Sequence, residues 1–207
     1  MHIVSITYQD EYGWFLFEMN SGEKLRISYD LYMELSLHQS DEVPSDIYER
    51  LRADDERLRA FLLGRRFALY QPRTEGEVRQ RLMRDHISSE IIEDVLLQLR
   101  RLHLLDDQKY AELYVQEKVS RQHWSRRRIQ HELFRKGVPA NIIEQALSII
   151  SRGTESETIR EIVQKKYAHR DLNDRKMFDR TVQSLINKGF SLSLILPILK
   201  ERQHGEE

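Results

Sequence analysis

Along the first thirty residues, apolar and polar positions alternate with a period of two, and beyond residue 45 they recur every three or four. IVSITY (3–8), WFLFEM (14–19) and KLRISY (24–29) are short β-branched or aromatic runs, separated by turn signals at Gln9-Asp10-Glu11 with Gly13 and at Asn20-Ser21-Gly22. The alternation puts Val4, Ile6 and Tyr8, then Phe15, Phe17 and Met19, then Leu25, Ile27 and Tyr29 on one greasy side of a small antiparallel meander. Three strands alone are marginal, so a following helix is expected to cover that side. Asp30 is placed to cap a short helix reaching about Leu37, and the polar stretch HQSDEVPSD (38–46) reads as a linker. Ile47, Leu51, Leu58, Phe61, Leu62 and Leu69 then mark one long or broken helix from about Ser45 to Tyr70. The charged Asp54-Asp55-Glu56 interrupts it and Pro72 stops it.

After Pro72 the pattern repeats. EVRQRLMRDHISSEIIEDVL (77–96) superimposes on RIQHELFRKGVPANIIEQAL (128–147) and, more weakly, on RTVQSLINKGFSLSLILPIL (180–199). The anchors Leu82, Leu133 and Leu185 are each followed four residues later by His86, Gly137 and Gly189, and then by an apolar residue. A period of about fifty residues, with a helix–turn–helix in each copy, predicts stacked helical modules. Gly137, Gly189 and, at more steric cost, His86 suit a left-handed helix end. Ser88, Pro139 and Ser191 suit the next helix start. Thr74 with Glu77 forms a capping box, and Ser125 and Asp174 are plausible caps for the other two first helices. Each pair needs a third helix, expected after the hairpin: 107–121 in the first repeat and 155–168 in the second, following a loop Ser151-Arg152-Gly153. The third repeat then runs out incomplete. The expected organisation is a sheet with a short helix (1–40), a long linking helix (45–72), three-helix repeats at 73–121 and 122–170, and a partial repeat at 171–207. The fold class is mainly α, tandem three-helix repeats with a small N-terminal antiparallel β-meander.

Composition narrows the function. The 207 residues are 40% hydrophobic and 32% charged, with no Cys, which excludes disulfides and thiolate chemistry and fits a reducing cytoplasm. No apolar run is long enough to span a membrane, and the N-terminus lacks a secretory pattern. The net charge of −1 hides an asymmetry. Residues 1–56 carry a net −9, residues 57–137 a net +7, and the remainder +1. An acidic module is thus joined to one suited to an anionic or mixed surface.

Asp106 and Asp107 pose a choice between an acid pair for chemistry and a helix start. No further carboxylate or His converges on them at a recognisable spacing, so both are read as the start of the helix at 107–121. Tyr110, Ala111, Tyr114 and Val115 supply its core stripe. In SRQHWSRRRIQHELFRKG (120–137), Arg121, Arg126, Arg127, Arg128, Arg135 and Lys136 surround a helix N-terminus with only Glu132 to oppose them. This reads as a binding face for phosphate or carboxylate, on which Trp124 stacks or covers core, extended by Arg65, Arg66 and Arg73. The eight His have no helical zinc spacing, and no nucleotide loop or nucleophile elbow appears. No metal, no cofactor and no catalytic centre are expected.

These residues resemble the RecX family of RecA regulators. The family's acidic pair and aromatic–Ala step correspond to Asp106, Asp107, Tyr110 and Ala111, its following Arg to Arg121, and its Arg-Ile-x-x-Glu-Leu-x-x-Lys-Gly element to Arg128, Ile129, Glu132, Leu133, Lys136 and Gly137. RTEGEVRQRL (73–82) is similar to the family's opening, departing at Thr74 and Val78, and His123 and Trp124 stand where a small residue is usual. The resemblance covers roughly residues 60–200. It implies a curved array whose concave basic face meets a RecA–DNA filament, with direct binding of single-stranded or duplex DNA left open. It also implies inhibition of strand exchange, ATP hydrolysis and co-protease activity in DNA repair and the SOS response, without catalysis of its own. A monomer is expected separately, because the apolar stripes can all be satisfied within one chain. The competing reading is a helix–turn–helix nucleic-acid binder such as a transcription regulator, with a scaffold for another partner behind it. The apolar and acidic second helices, SSEIIEDVLLQL and PANIIEQALSII, disfavour groove insertion.

Overall fold

A computed structural model describes residues 1–10, 13–148, 150, 152–168 and 170–204, with 152–154 and 204 as backbone alone. Glu11 of the first turn signal, Ser151 and His169 lie outside the described residues. The strands are β1 (Ile3–Gln9), β2 (Trp14–Met19) and β3 (Lys24–Ser28). The helices begin with α1 (Tyr29–Leu35), α2 (Ser45–Tyr70), α3 (Glu75–Arg84) and α4 (Ser89–Arg101). They continue with α5 (Asp107–Ser120), α6 (Arg126–Arg135), α7 (Ala140–Leu147), α8 (Arg152–Lys166), α9 (Arg175–Asn187) and α10 (Leu192–His204). Contacts divide the chain into two units, one of Met1–Arg73 with Val78–Leu105 and one of Thr74–Glu77 with Asp106–Glu207.

In the first unit, the antiparallel sheet has the order β1-β2-β3. A register irregularity between Ile3 and Ser5 turns the start of β1 over, so Ile3 is fully buried and Val4, expected inside, is 44% exposed. Leu31, Tyr32 and Leu35 of α1 and Ile47, Tyr48 and Leu51 of α2 cover the apolar face. The cap of α1 is Ser28, whose Oγ accepts from Leu31 N, and not Asp30, which lies in the first turn. Residues 38–43 are no free linker. Ile3 N donates to Asp41 O, Ser40 N to Ile3 O and Val43 N to Met1 O, and Val43 is buried. The helix α2 is unbroken, and Asp54 and Asp55 have a positive role: they accept from Ser28 N at 2.6 Å and Arg26 N at 2.7 Å. Two carboxylates of one helix thus satisfy alternate N–H groups along β3 and blunt a strand edge.

Farther along α2, the contact with α4 falls on small residues, not on the expected large stripe. Ala60, Gly64 and Ala68 are buried at i, i+4 and i+8, and a Cβ on Gly64 would stand 3.0 Å from Val95 Cγ1. Close approach there leaves Leu69 57% exposed.

Each repeat core takes its third helix from before the hairpin. Ala60 and Ala68 pack with Val78, Leu82 and Ile92 in one core; Ala111 and Val115 with Ile129, Leu133 and Ile143 in the next; Ile159 and Val163 with Leu185 and Ile195 in the last. The boundaries expected at 73–121, 122–170 and 171–207 are therefore shifted by one helix, and the last repeat is complete. Arg152 and Gly153, expected in a loop, are helical. The hairpin turns follow the expected chemistry: His86, Gly137 and Gly189 have φ of 60°, 79° and 92°. Ile87 N, Val138 N and Phe190 N donate back to Leu82 O, Leu133 O and Leu185 O, closing the same Schellman turn three times.

Candidate partner-binding surface

The basic segment begins where α5 ends. His123 takes φ of 52°, which swings the chain so that Ser125, itself buried, caps α6 by accepting from Arg128 N at 3.2 Å. Three consecutive arginines at a helix N-terminus oppose the helix dipole. The fold answers with Glu155 of α8, whose Oε1 accepts from Arg126 N at 2.8 Å.

The ten basic-face candidates have different fates. Arg126 turns inward and donates to Leu147 O and Ile150 O at the C-terminal end of α7. Arg128 lies 3.8 Å from the Trp124 ring centroid and donates to Asn187 O. Trp124 is half-buried, edge-on to Tyr114. Lys136 pairs with Glu77 at 2.8 Å and lies over the rings of Tyr110 and Tyr114. Burial pulls the Lys136 pKa down, but its hydrogen bonds to Glu77 and Tyr110 prevail and the pKa is raised. By contrast, Arg121, Arg127 and Arg135 are exposed. Of these three, Arg135 alone has an ion pair among the described residues, a loose 3.6 Å contact with Glu132. Arg65, Arg66 and Arg73 belong to the first unit, where they line a cleft.

Around the inward-turned cations the second unit builds one clasp twice. At the first, Thr74 caps α3 and closes its box with Glu77 by reciprocal 3.1 Å bonds, while Thr74 Oγ1 donates to Lys136 O. Gly137 sits so close that a Cβ on it would stand 2.7 Å from Gly76 Cα. At the second, Ser125 N donates to Lys188 O, and Gly189 lies against Ser125 Oγ and Arg128 Cβ. An acid completes each: Asp107 Oδ1 accepts from Glu75 N at 2.9 Å as Glu155 does from Arg126 N. The acidic pair therefore divides. Asp106 caps α5, accepting from Lys109 N at 2.9 Å, whereas the buried Asp107 serves the start of α3. Burial raises the Asp107 pKa, against the lowering effect of the Glu75 N–H. At the second clasp, burial and then the Lys166 and Arg128 charges lower the pKa of Lys188.

One surface feature was not singled out from sequence. Arg127, His131, Phe134 and Arg135 all lie exposed along α6, Phe134 by 70%, opposite the buried Ile129 and Leu133. Its only sequence signal is an aromatic immediately after the anchor leucine. Among the described residues no group of acids and His could hold a metal, and no helix is long and apolar enough to cross a membrane.

Family models for the first, second and third three-helix domains of RecX match residues 65–99, 106–147 and 154–199. A regulatory protein RecX of Finegoldia magna is 31% identical over 147 residues, covering 71% of this chain and 72% of that protein. The chain belongs to the RecX family. Another RecX, from Oceanobacillus iheyensis, is 25% identical over 203 residues, 97% of this chain and 75% of the relative. Among solved structures, a regulatory protein RecX superposes with a TM-score of 0.69 over 95% of this chain and 98% of its own, at 23% identity, which bears on the fold. The RecX matches start each three-helix domain one helix before the hairpin, as the three cores do. Residues 1–64, with the β-sheet, precede the first of them.

Proposed function

We propose that this RecX-family regulator acts on the RecA recombinase–DNA filament, as a single cytoplasmic chain without a catalytic centre. It inhibits strand exchange, ATP hydrolysis and co-protease activity by docking. The supporting observation is the exposed stripe of α6, where Arg127, His131 and Arg135 flank the uncovered Phe134 and the one nearby carboxylate, Glu132, makes only a loose 3.6 Å contact with Arg135. An exposed aromatic beside exposed guanidiniums is the composition of an interface centre. Arg121 extends that basic surface, while Arg126, Arg128 and Lys136 hold the scaffold that presents it. The transcription-regulator reading is weaker, because the exposed positions of α4 include Glu90, Glu93 and Asp94, which a DNA groove would repel.

The test is RecA ATPase on single-stranded DNA with the protein titrated in, beside the variants R127A/R135A and F134A. Wild type is expected to suppress turnover, and each variant to need about tenfold more protein, as loss of an interface centre residue implies. An ATPase indifferent to wild type would remove the proposal.

A further inference from the structure

We infer that the first unit carries a binding site for single-stranded nucleic acid, in the cleft formed by the C-terminal turns of α2 with β2 and α3. The cleft encloses about 930 Å³ and is walled by Trp14, Phe67 and Tyr70 together with Leu62, Leu63 and Leu69. Its cations are Arg65, Arg66, Arg73 and Arg81, and no carboxylate lines it. That is notable within a chain whose first 56 residues are net −9.

The cleft exists because of how α2 packs. With Ala60, Gly64 and Ala68 taken up by α4, Leu63 and Phe67 reach only the edge of that core, and Leu69 and Tyr70 are left 57% and 84% exposed. Arg73 lies 4.2 Å from the Phe67 centroid and Arg81 pairs with Asp85 at 2.7 Å. Arg65 and Arg66 form no ion pair among the described residues. The site therefore offers planar aromatic faces and two uncommitted guanidiniums within one concavity. Aromatic platforms beside positive charge are the chemistry that holds unpaired bases and their phosphates without regard to sequence. A duplex keeps its bases stacked and presents a convex phosphate surface, which a concave aromatic cleft does not fit. An acidic peptide would match the charge but not use the ring faces.

The experiment uses the full chain with W124F, so that Trp14 is the sole indole of the two tryptophans. It is titrated with an oligothymidylate of about fifteen nucleotides, the upper range of such site sizes. Parallel arms contain the matching duplex and a Glu-rich peptide. Quenching of Trp14 by the single strand is expected. Y70A and R66A, both at exposed positions, should each weaken binding about tenfold, the effect of losing one stacked base or phosphate contact. If W124F folds poorly, quenching lost between wild type and W14F gives the same readout. Unchanged Trp14 emission, equal affinity in Y70A and R66A, tighter duplex binding, or quenching by the peptide instead would each overturn the assignment. No recombinase is present, so this outcome and that of the ATPase assay are separable.

Discussion

At Thr74 and again at Ser125, a capped helix start receives a hairpin turn and an acid from a neighbouring helix, yet the two clasps are closed with different materials. The first meets backbone on backbone, Gly76 against Gly137, with the Lys136–Glu77 pair beside it. The second meets backbone on side chain, Gly189 against Ser125 and Arg128, and its cation is held by a carbonyl and the Trp124 ring. The comparison teaches that a cluster of cations at a repeat joint is first a structural device. Four of the ten residues expected to face a partner, Arg126, Arg128, Lys136 and Trp124, close this unit on itself, and Arg121, Arg127 and Arg135 are the ones it leaves exposed.

The sharpest way to break the comparison is to add one methyl group. Gly137→Ala combines φ of 79° with a Cβ 2.7 Å from a backbone atom that cannot yield. A loss of about 3 kcal/mol in urea unfolding is expected, from left-handed strain plus overpacking. Gly189→Ala, at φ of 92° with a Cβ against the capping Ser125 Oγ and 2.6 Å from Arg128 Cβ, neither the far end of a flexible side chain, should lose a comparable amount. Gly22→Ala, at φ of 83° with open space around it, isolates the conformational cost of about 1 kcal/mol. Should G137A prove no worse than G22A, the backbone contact at the first clasp is not what the geometry states. A smaller effect separates Arg126 from its neighbour. R126A removes a charged donor from the α7 carbonyls and is expected to cost about 1.5 kcal/mol, while R127A stays within about 0.5 kcal/mol. Equal stabilities would return Arg126 to the surface-binding set.

Much of this frame is legible in the residues, because local rules act over a few positions. The strands, the 45–70 helix, the Thr74–Glu77 box and the three left-handed turns follow from alternation, caps and Gly or His at one register. What escapes is whatever depends on distant partners. An irregularity at Ile3 inverts a strand face, and Asp54 and Asp55 read as an interruption until β3 supplies the N–H groups they accept from. The phase of the third helix is likewise undecided by periodicity, since an apolar stripe can serve a hairpin on either side. The candidate surface suffers the same way: six arginines and lysines within 120–137 look alike in sequence, and only the positions of Glu155, Glu77 and the Leu147 and Asn187 carbonyls tell the engaged from the free.

The acids of the two clasps give the smallest and most specific contrast. Asp107 has its pKa raised by burial above an ordinary value of 3.8, while its Oδ1 holds Glu75 N. Below that value, folded and unfolded states are both protonated. As pH rises past it, the unfolded carboxyl ionises first and the folded one later. Stability contributed by this group therefore falls across the window just above 3.8 and is flat once both have ionised. Asp107→Asn keeps an acceptor for Glu75 N and removes the buried charge, so it should leave stability at pH 7 unchanged or slightly higher and erase that decline. Asp107→Ala loses the acceptor and should cost about 1 kcal/mol, the value of a helix cap. Glu155→Gln is the matching change at the second clasp, where three arginines open the helix; there the charge opposes unfavourable cations, and its loss should destabilise. At neutral pH, unfolding curves should thus show E155Q destabilised and D107N not, and a loss in both would show that the two acids serve one purpose.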